Sequence, residues 1–244
     1  MSIYTAAILS DSPVAYWRLG DLTGTSAADA SGNGHAGTYS GGVALGRAGA
    51  VAGTNDAAVL FDGTSGQVTC GHPTAFDLTS NFSLECWFQA VALPPSSGNG
   101  RWFLGKDVAG GRSYDFGLLN NAGTIDQCVQ INGTSYYGAT VTLDGLWHHT
   151  VATYASSTLR FYLDGIAGPT ASASTPPAVT TTDLLIGARG YSGFQEFFNG
   201  TLDEVALYSA ALSAARITAH YNAGLAQGLA APAIGPMLIR RAMR

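Results

Sequence analysis

Apolar and polar residues alternate along much of this chain. Phe82, Leu84, Cys86 and Phe88 fall on one side of an extended run, and Ser83, Glu85, Trp87 and Gln89 on the other. A period of two is the mark of a β-strand, whose successive side chains point to opposite faces. Leu159, Phe161 and Leu163 repeat it. Further strand-like runs lie at 14–19, 57–61, 67–70, 101–106, 114–119, 125–131, 147–154, 184–186 and 202–208. Asx-Gly pairs punctuate them: Asp62-Gly63, Asn132-Gly133, Asp144-Gly145, Asp164-Gly165 and Asn199-Gly200. Such pairs supply the positive φ angles of tight hairpins. Asn132-Gly-Thr and Asn199-Gly-Thr also match the glycosylation acceptor pattern, and are read here as turns. One helix is predicted over 213–224. Ser213 caps it, Leu212 and Ile217 form a hydrophobic staple, Ile217 and Tyr221 share a face, and Gly224 ends it. The pattern predicts an all-β domain over residues 1–224 and an extended tail over 225–244.

Composition sharpens this. Charged residues make up 11% of the 244, against roughly 25% in an average soluble domain. The 32 glycines suit many turns, and the scarcity of lysine and glutamate speaks against helix bundles and coiled coils. The length supports a full core without metal or disulfide staples. A net charge of −5 speaks against a phosphate-tracking surface, so no nucleic-acid partner is expected. No run approaches the ~20 apolar residues of a membrane span. The first nine residues carry no secretory signal pattern, so synthesis in the cytoplasm is expected. Cys70, Cys86 and Cys128 lack the short paired spacing of zinc or redox motifs and are expected as buried thiols. The tail ends in apolar and basic residues, among them Leu238, Ile239, Arg240 and Arg241. Two readings stand for it: a free end, or a peptide that docks on a neighbouring subunit.

Four segments carry a resemblance. They are Ser12-Pro-Val-Ala-Tyr-Trp-Arg-Leu-Gly20 leading to Asp29-Ala-Ser-Gly-Asn-Gly-His-Ala-Gly37, and Ala58-Val-Leu-Phe-Asp-Gly63 followed by Phe82-Ser-Leu-Glu-Cys-Trp-Phe88. Next come Leu146-Trp-His-His-Thr-Val-Ala-Thr-Tyr154 with Leu159-Arg-Phe-Tyr-Leu-Asp-Gly165, and Phe198-Asn-Gly-Thr-Leu-Asp-Glu-Val-Ala-Leu-Tyr208 before Ala211-Leu-Ser-Ala-Ala-Arg-Ile217. In this order they resemble the laminin-G-like, concanavalin A-like jelly-roll domains. The resemblance spans roughly residues 3–224. It implies two antiparallel sheets packed face to face, one short C-terminal helix, and binding of carbohydrates, proteins or matrix components. It also implies a calcium ion (Ca2+) shared by Asp29 and Asp203, with Asn33 nearby. The competing reading of the Asp29 loop is an Asx-rich turn. The opening segment resembles modules of tail and other virion proteins from phages of actinobacteria. That implies a place on the virion surface, as a homo-oligomer contacting other virion proteins.

The residues bear on chemistry as well. Glycoside hydrolysis usually needs two carboxyl groups across the scissile bond. Only Glu85, Glu196 and Glu204 are glutamates, and Glu85 has Trp87 two positions on. Asp203 and Glu204 are adjacent, so in a regular strand they point to opposite faces. No Gly-X-Ser-X-Gly nucleophile elbow is present. His148 and His149 also face opposite ways in a strand, and structural roles are expected for them. The expectation is a non-catalytic module that recognises a glycan or host surface. A structural virion subunit and a glycosidase are the alternatives. Tyr136, Tyr137, Tyr191 and Phe194 sit near turns and are candidates for stacking on sugar rings, or for packing at a loop or interface.

Overall fold

A computed structural model describes residues 1–52, 56–90, 100–108, 111–191 and 194–226. Helix α1 (Ile3–Ser10) opens the chain, followed by β1 (Ala15–Trp17), β2 (Ser26–Ala27), β3 (Gly37–Ser40), β4 (Val43–Ala48), β5 (Ala57–Asp62) and β6 (Gln67–Thr69). The middle holds β7 (Phe82–Gln89), β8 (Gly100–Val108), β9 (Gly111–Asn121), β10 (Thr124–Ile131), β11 (Thr134–Thr140), β12 (Trp147–Ala155), β13 (Thr158–Leu163) and β14 (Ile166–Ser172). The last third holds β15 (Leu185–Ile186), β16 (Ala188–Tyr191), β17 (Phe194–Phe197), β18 (Asn199–Tyr208) and helix α2 (Ala214–Ala226).

The first sheet has eight strands, in the order β14-β13-β12-β7-β18-β5-β4, with β1 also pairing on β18. The second has eight, in the order β11-β10-β9-β8-β15-β6-β3-β2. Strands β16 and β17 form a separate hairpin. The ladders are antiparallel. This is a jelly-roll sandwich. The Asx-Gly pairs at 132–133 and 164–165 make the β10–β11 and β13–β14 hairpins, with both residues of each pair at positive φ. Asn199-Gly200 is different. It lies inside β18, where Gly200 lets the backbone approach the Gln89 carbonyl.

The main core lies between the sheets. Phe82, Leu84, Cys86 and Phe88 join it, as their alternation predicts. Phe103 of β8 stacks on Phe88 with ring centroids 4.7 Å apart and meets Phe116 and Phe198 edge-on. Cys70, Cys86 and Cys128 are buried free thiols.

The opposite face of β7 is also buried, beneath α1 and α2. There Trp87, Val151 and Tyr162 pack with Tyr4, Ile8, Ile217 and Ala223 of the helices. Ser213 caps α2 by accepting from the Arg216 N–H, and Leu212 and Ile217 both join this second cluster. The helix does not stop at Gly224 but runs to Ala226. Gly224 is a packing position instead: a Cβ there would sit 2.5 Å from Trp87 Cζ2. The pattern of the sequence does not predict helix α1. It is short and apolar on all sides, so it lacks the amphipathic stripe that marks a surface helix.

Candidate functional site

Three polar constellations stand out among the described residues. The first lies on the outer face of the second sheet, where the β16–β17 hairpin crosses over β8. Arg189 and Glu196 face each other across that hairpin. The Arg189 guanidinium donates to Glu196 at 2.8 Å, pairs with Asp115 of β9 at 3.1 Å and reaches the Gln130 side-chain oxygen of β10. It also lies 4.2 Å over the Trp102 ring, whose N–H donates to Glu196 at 2.6 Å. Burial works against the guanidinium charge, but Asp115 and Glu196 outweigh it and hold the group charged. Burial, partly countered by Arg189, pushes the Asp115 carboxyl well above its ordinary range. Gly105 makes the close approach possible, since a Cβ there would lie 2.8 Å from Arg189 Cβ.

Beside this hairpin a cleft of about 560 Å³ opens over β6 and β15. Its walls include Gln67, Thr69, His72, Asp107, Thr182 and Asp183. His72 Nδ1 lies 2.7 Å from the Asp183 carboxylate at the rim. The cleft therefore offers amide, hydroxyl, imidazole and carboxylate groups together. It can satisfy both donors and acceptors of a polyhydroxylated molecule.

The second constellation forms where β18 changes partners. Its first half pairs with β5 and its second half with β1, and a bulge sits between Asp203 and Ala206. Glu204 takes a positive φ there. The bulge breaks the alternation expected for adjacent strand residues. Asp203 and Glu204 thus converge with Asp56, which directly precedes β5, with ligand atoms within 4.8 Å of one another. Arg18, just past β1, pairs with Asp56 and Glu204. The Tyr16 hydroxyl donates to Glu204 and the Ala50 N–H to Asp203. Asp203 is fully buried, and its Oδ1 has no hydrogen-bond partner among the described residues. Burial and the neighbouring Asp56 charge push the Asp203 carboxyl up, and burial with Asp203 does the same to Glu204.

Asp29 is not part of this acidic group. Its carboxylate accepts backbone N–H groups from Tyr16, Ser31 and His35 at 2.8–3.0 Å, the Asx-turn arrangement. Burial acts to raise its pKa, but these hydrogen bonds hold it below its ordinary value. The Asn33 amide donates to the Pro13 and Val14 carbonyls and ties the loop to the start of β1. Asp56 went unnoticed in the sequence, because nothing local marks a carboxylate before a strand as a partner of one 147 positions later.

The candidate sugar-stacking aromatics separate. Tyr136 packs against the main core, whereas Tyr137 is exposed on β11 opposite Cys128. Tyr191 and Phe194 pair across the β16–β17 hairpin, with side chains outside the described residues. Leu238, Ile239, Arg240 and Arg241 also lie outside the described residues. His148 is bound by Asp164 and Asp144, a structural role.

The third constellation lies beneath the helices and centres on Glu85. This fully buried carboxylate meets His149 Nε2 at 2.7 Å, His220 Nδ1 at 3.1 Å and the Tyr208 hydroxyl at 2.8 Å. Burial acts to raise its pKa, but His220 and His149 hold it well below the carboxylate range.

The profile of a laminin G-type family, described as the concanavalin A-like lectin/glucanases superfamily, matches residues 62–218. The chain belongs to this superfamily. Solved structures share the fold of this lectin/glucanase-like chain. The binding domain of Paraclostridial mosquitocidal protein 1 aligns with TM-score 0.65 and 14% identity, over 88% of this chain and 52% of that one. Domain 4 of AbnA, an extracellular arabinanase of Geobacillus stearothermophilus, in complex with arabinotriose, aligns with TM-score 0.61 and 18% identity, over 86% of this chain and 98% of that one. Trypanosoma rangeli sialidase with sialic acid aligns with TM-score 0.65 and 15% identity, over 92% and 37%. The chain thus spans about half of the first of these chains and little more than a third of the sialidase. No curated protein sequence matches it significantly. No helix among the described residues is long and apolar enough to cross a membrane.

Proposed function

We propose that this lectin-fold domain binds a neutral carbohydrate, without hydrolysing it, in the cleft beside the β16–β17 hairpin. The cleft carries the reading: hydroxyl, amide and carboxylate groups line one wall system on the outer face of the second sheet. Its acidic members, Asp107 and Asp183, disfavour an anionic glycan. The AbnA domain, solved in complex with arabinotriose, shares the fold and supports the assignment of a sugar ligand. Asp115 and Glu196 are held by Arg189 rather than facing each other across open space, which supports binding over hydrolysis. The resemblance of the opening segment implies display on a phage particle, and the apolar and basic tail is the candidate docking peptide for it.

A glycan array followed by calorimetry tests the site. Neutral oligosaccharides should bind, and Asp183→Ala should weaken the best of them by about 1.5–3 kcal/mol, the worth of a hydrogen bond to a charged group. That is at least about tenfold in Kd. A blank array with folded protein, or affinity unchanged by both Asp183→Ala and Gln67→Ala, overturns the cleft assignment.

The proposal extends to a calcium ion held by Asp203, Glu204 and Asp56. Hard cations take oxygen ligands, and carboxylates meet that demand. The unsatisfied Asp203 oxygen and the mutual repulsion of the carboxylates support the fit. Calcium at a hundred times its dissociation constant should then stabilise the fold by about 2.7 kcal/mol. Asp203→Asn should remove that increment. Superimposable melting curves in EDTA and in calcium, with complete chelation checked, would show that Arg18 alone balances the cluster.

A further inference from the structure

The carboxylate under the helices has a partner whose protonation can be read from geometry. His220 of α2 presents Nδ1 to Glu85 at 3.1 Å and Nε2 to Asp11 at 2.8 Å. Both neighbours are acceptors when ionised, so both ring nitrogens must donate, and only the imidazolium can do that. We propose that His220 is a proton-held clasp: as an imidazolium it fastens α1 and α2 to the first sheet, and loss of its proton frees the helix pair while the sandwich stays folded.

Every element packed around His220 takes part. Glu85 comes from β7, Asp11 caps the end of α1, and Tyr208 of β18 donates to Glu85 and stacks near the imidazole. His149 of β12 and Tyr4 of α1 also contact Glu85. Arg216, one turn before His220, pairs with Asp11 at 2.8 Å and donates to the Ala7 carbonyl and the Ser10 hydroxyl of α1. The charges of Glu85, Asp11, His220 and Arg216 therefore balance. Removing the His220 proton leaves one ring lone pair against a carboxylate and one buried negative charge in excess. That arrangement is costly at a buried site.

The helices can leave alone because they share nothing with the main core. Among the described residues, the cluster between the sheets contains no residue of α1 or α2, and the helices pack in the separate outer cluster. Burial acts to lower the His220 pKa, but Glu85 and Asp11 outweigh it and raise it above the ordinary value. A raised folded-state pKa means that the clasp is fully held below about pH 6.5. Its contribution is lost as pH rises from there through the folded-state value, so release is an alkaline event.

Two measurements on the full chain decide this. In 15N NMR at pH 6, both His220 ring nitrogens should be protonated. In hydrogen exchange, protection factors of α1 and α2 should fall by up to about tenfold per pH unit between about 6.5 and the His220 pKa. Those of β7, β9 and β10 should hold. His220→Gln should remove the pH dependence of helix protection. If that variant does not fold, the wild-type nitrogen titration and helix exchange still decide. A His220 ring with one bare nitrogen at pH 6, or helix and sheet protection that fall together, overturns the clasp.

Discussion

Glu85→Ala should lower folding stability at neutral pH by about 3–5 kcal/mol, the usual cost of removing one partner from a buried ion pair. The magnitude follows from what is stranded. Glu85 is the common acceptor for His149, His220 and Tyr208, and all four groups are buried. Its loss leaves the His220 charge facing Asp11 alone and strands the buried His149 and Tyr208 donors, each carrying a desolvation penalty. Urea unfolding followed by tryptophan fluorescence measures it, because Trp87 lies in the same cluster. A loss below about 1 kcal/mol would show that the network adds little to the fold. Glu85→Gln separates charge from shape. The depressed Glu85 pKa means that the wild-type advantage over this variant is present above about pH 4.3. It is lost as pH falls through the folded-state value.

Arg189→Met is the second large effect, expected near 3 kcal/mol. It lies at the low end of the range for a broken buried pair, because Asp115 already has a raised pKa and can take up a proton. The consequence for binding should be larger than for folding. Arg189 stacks on Trp102 of β8 and bonds Asp115 of β9 and Gln130 of β10, and Gly190 beside it lines the cleft. The variant should remain a folded sandwich while its glycan affinity drops by more than that of Asp183→Ala. Calorimetry alongside circular dichroism reads both quantities. Unchanged affinity in the folded variant would detach the hairpin from the site.

Local pattern carried much of the architecture. The alternation in β7 placed Phe82, Leu84, Cys86 and Phe88 in the core, and the hairpins at 132–133 and 164–165 followed from Asx-Gly chemistry. The Ser213 cap and the Leu212–Ile217 staple were equally legible, since both join residues within one helical turn or so. The same rules failed where a distant element intervened. Gly224 has the local mark of a helix end, since glycine favours that position, yet Trp87 requires its missing side chain. Asn199-Gly200 has the local chemistry of a turn, yet pairing with β5 holds it in a strand.

The class of fold, the hairpins, the capped helix and the shortage of strand-paired glutamates are all written in short-range pattern. These depend on neighbours a few positions apart, whose geometry the backbone period sets. Which polar residues meet depends instead on long-range packing. The bulge at Asp203 and Glu204 arises where β18 passes from β5 to β1, and it turns two residues expected on opposite faces toward Asp56. Glu85 looked like one polar residue on a strand. It became the centre of a buried charge network because two helices from opposite ends of the chain close over it. Burial and charge pairing between segments far apart in sequence have no local signal, because they depend on which surfaces the whole fold brings together.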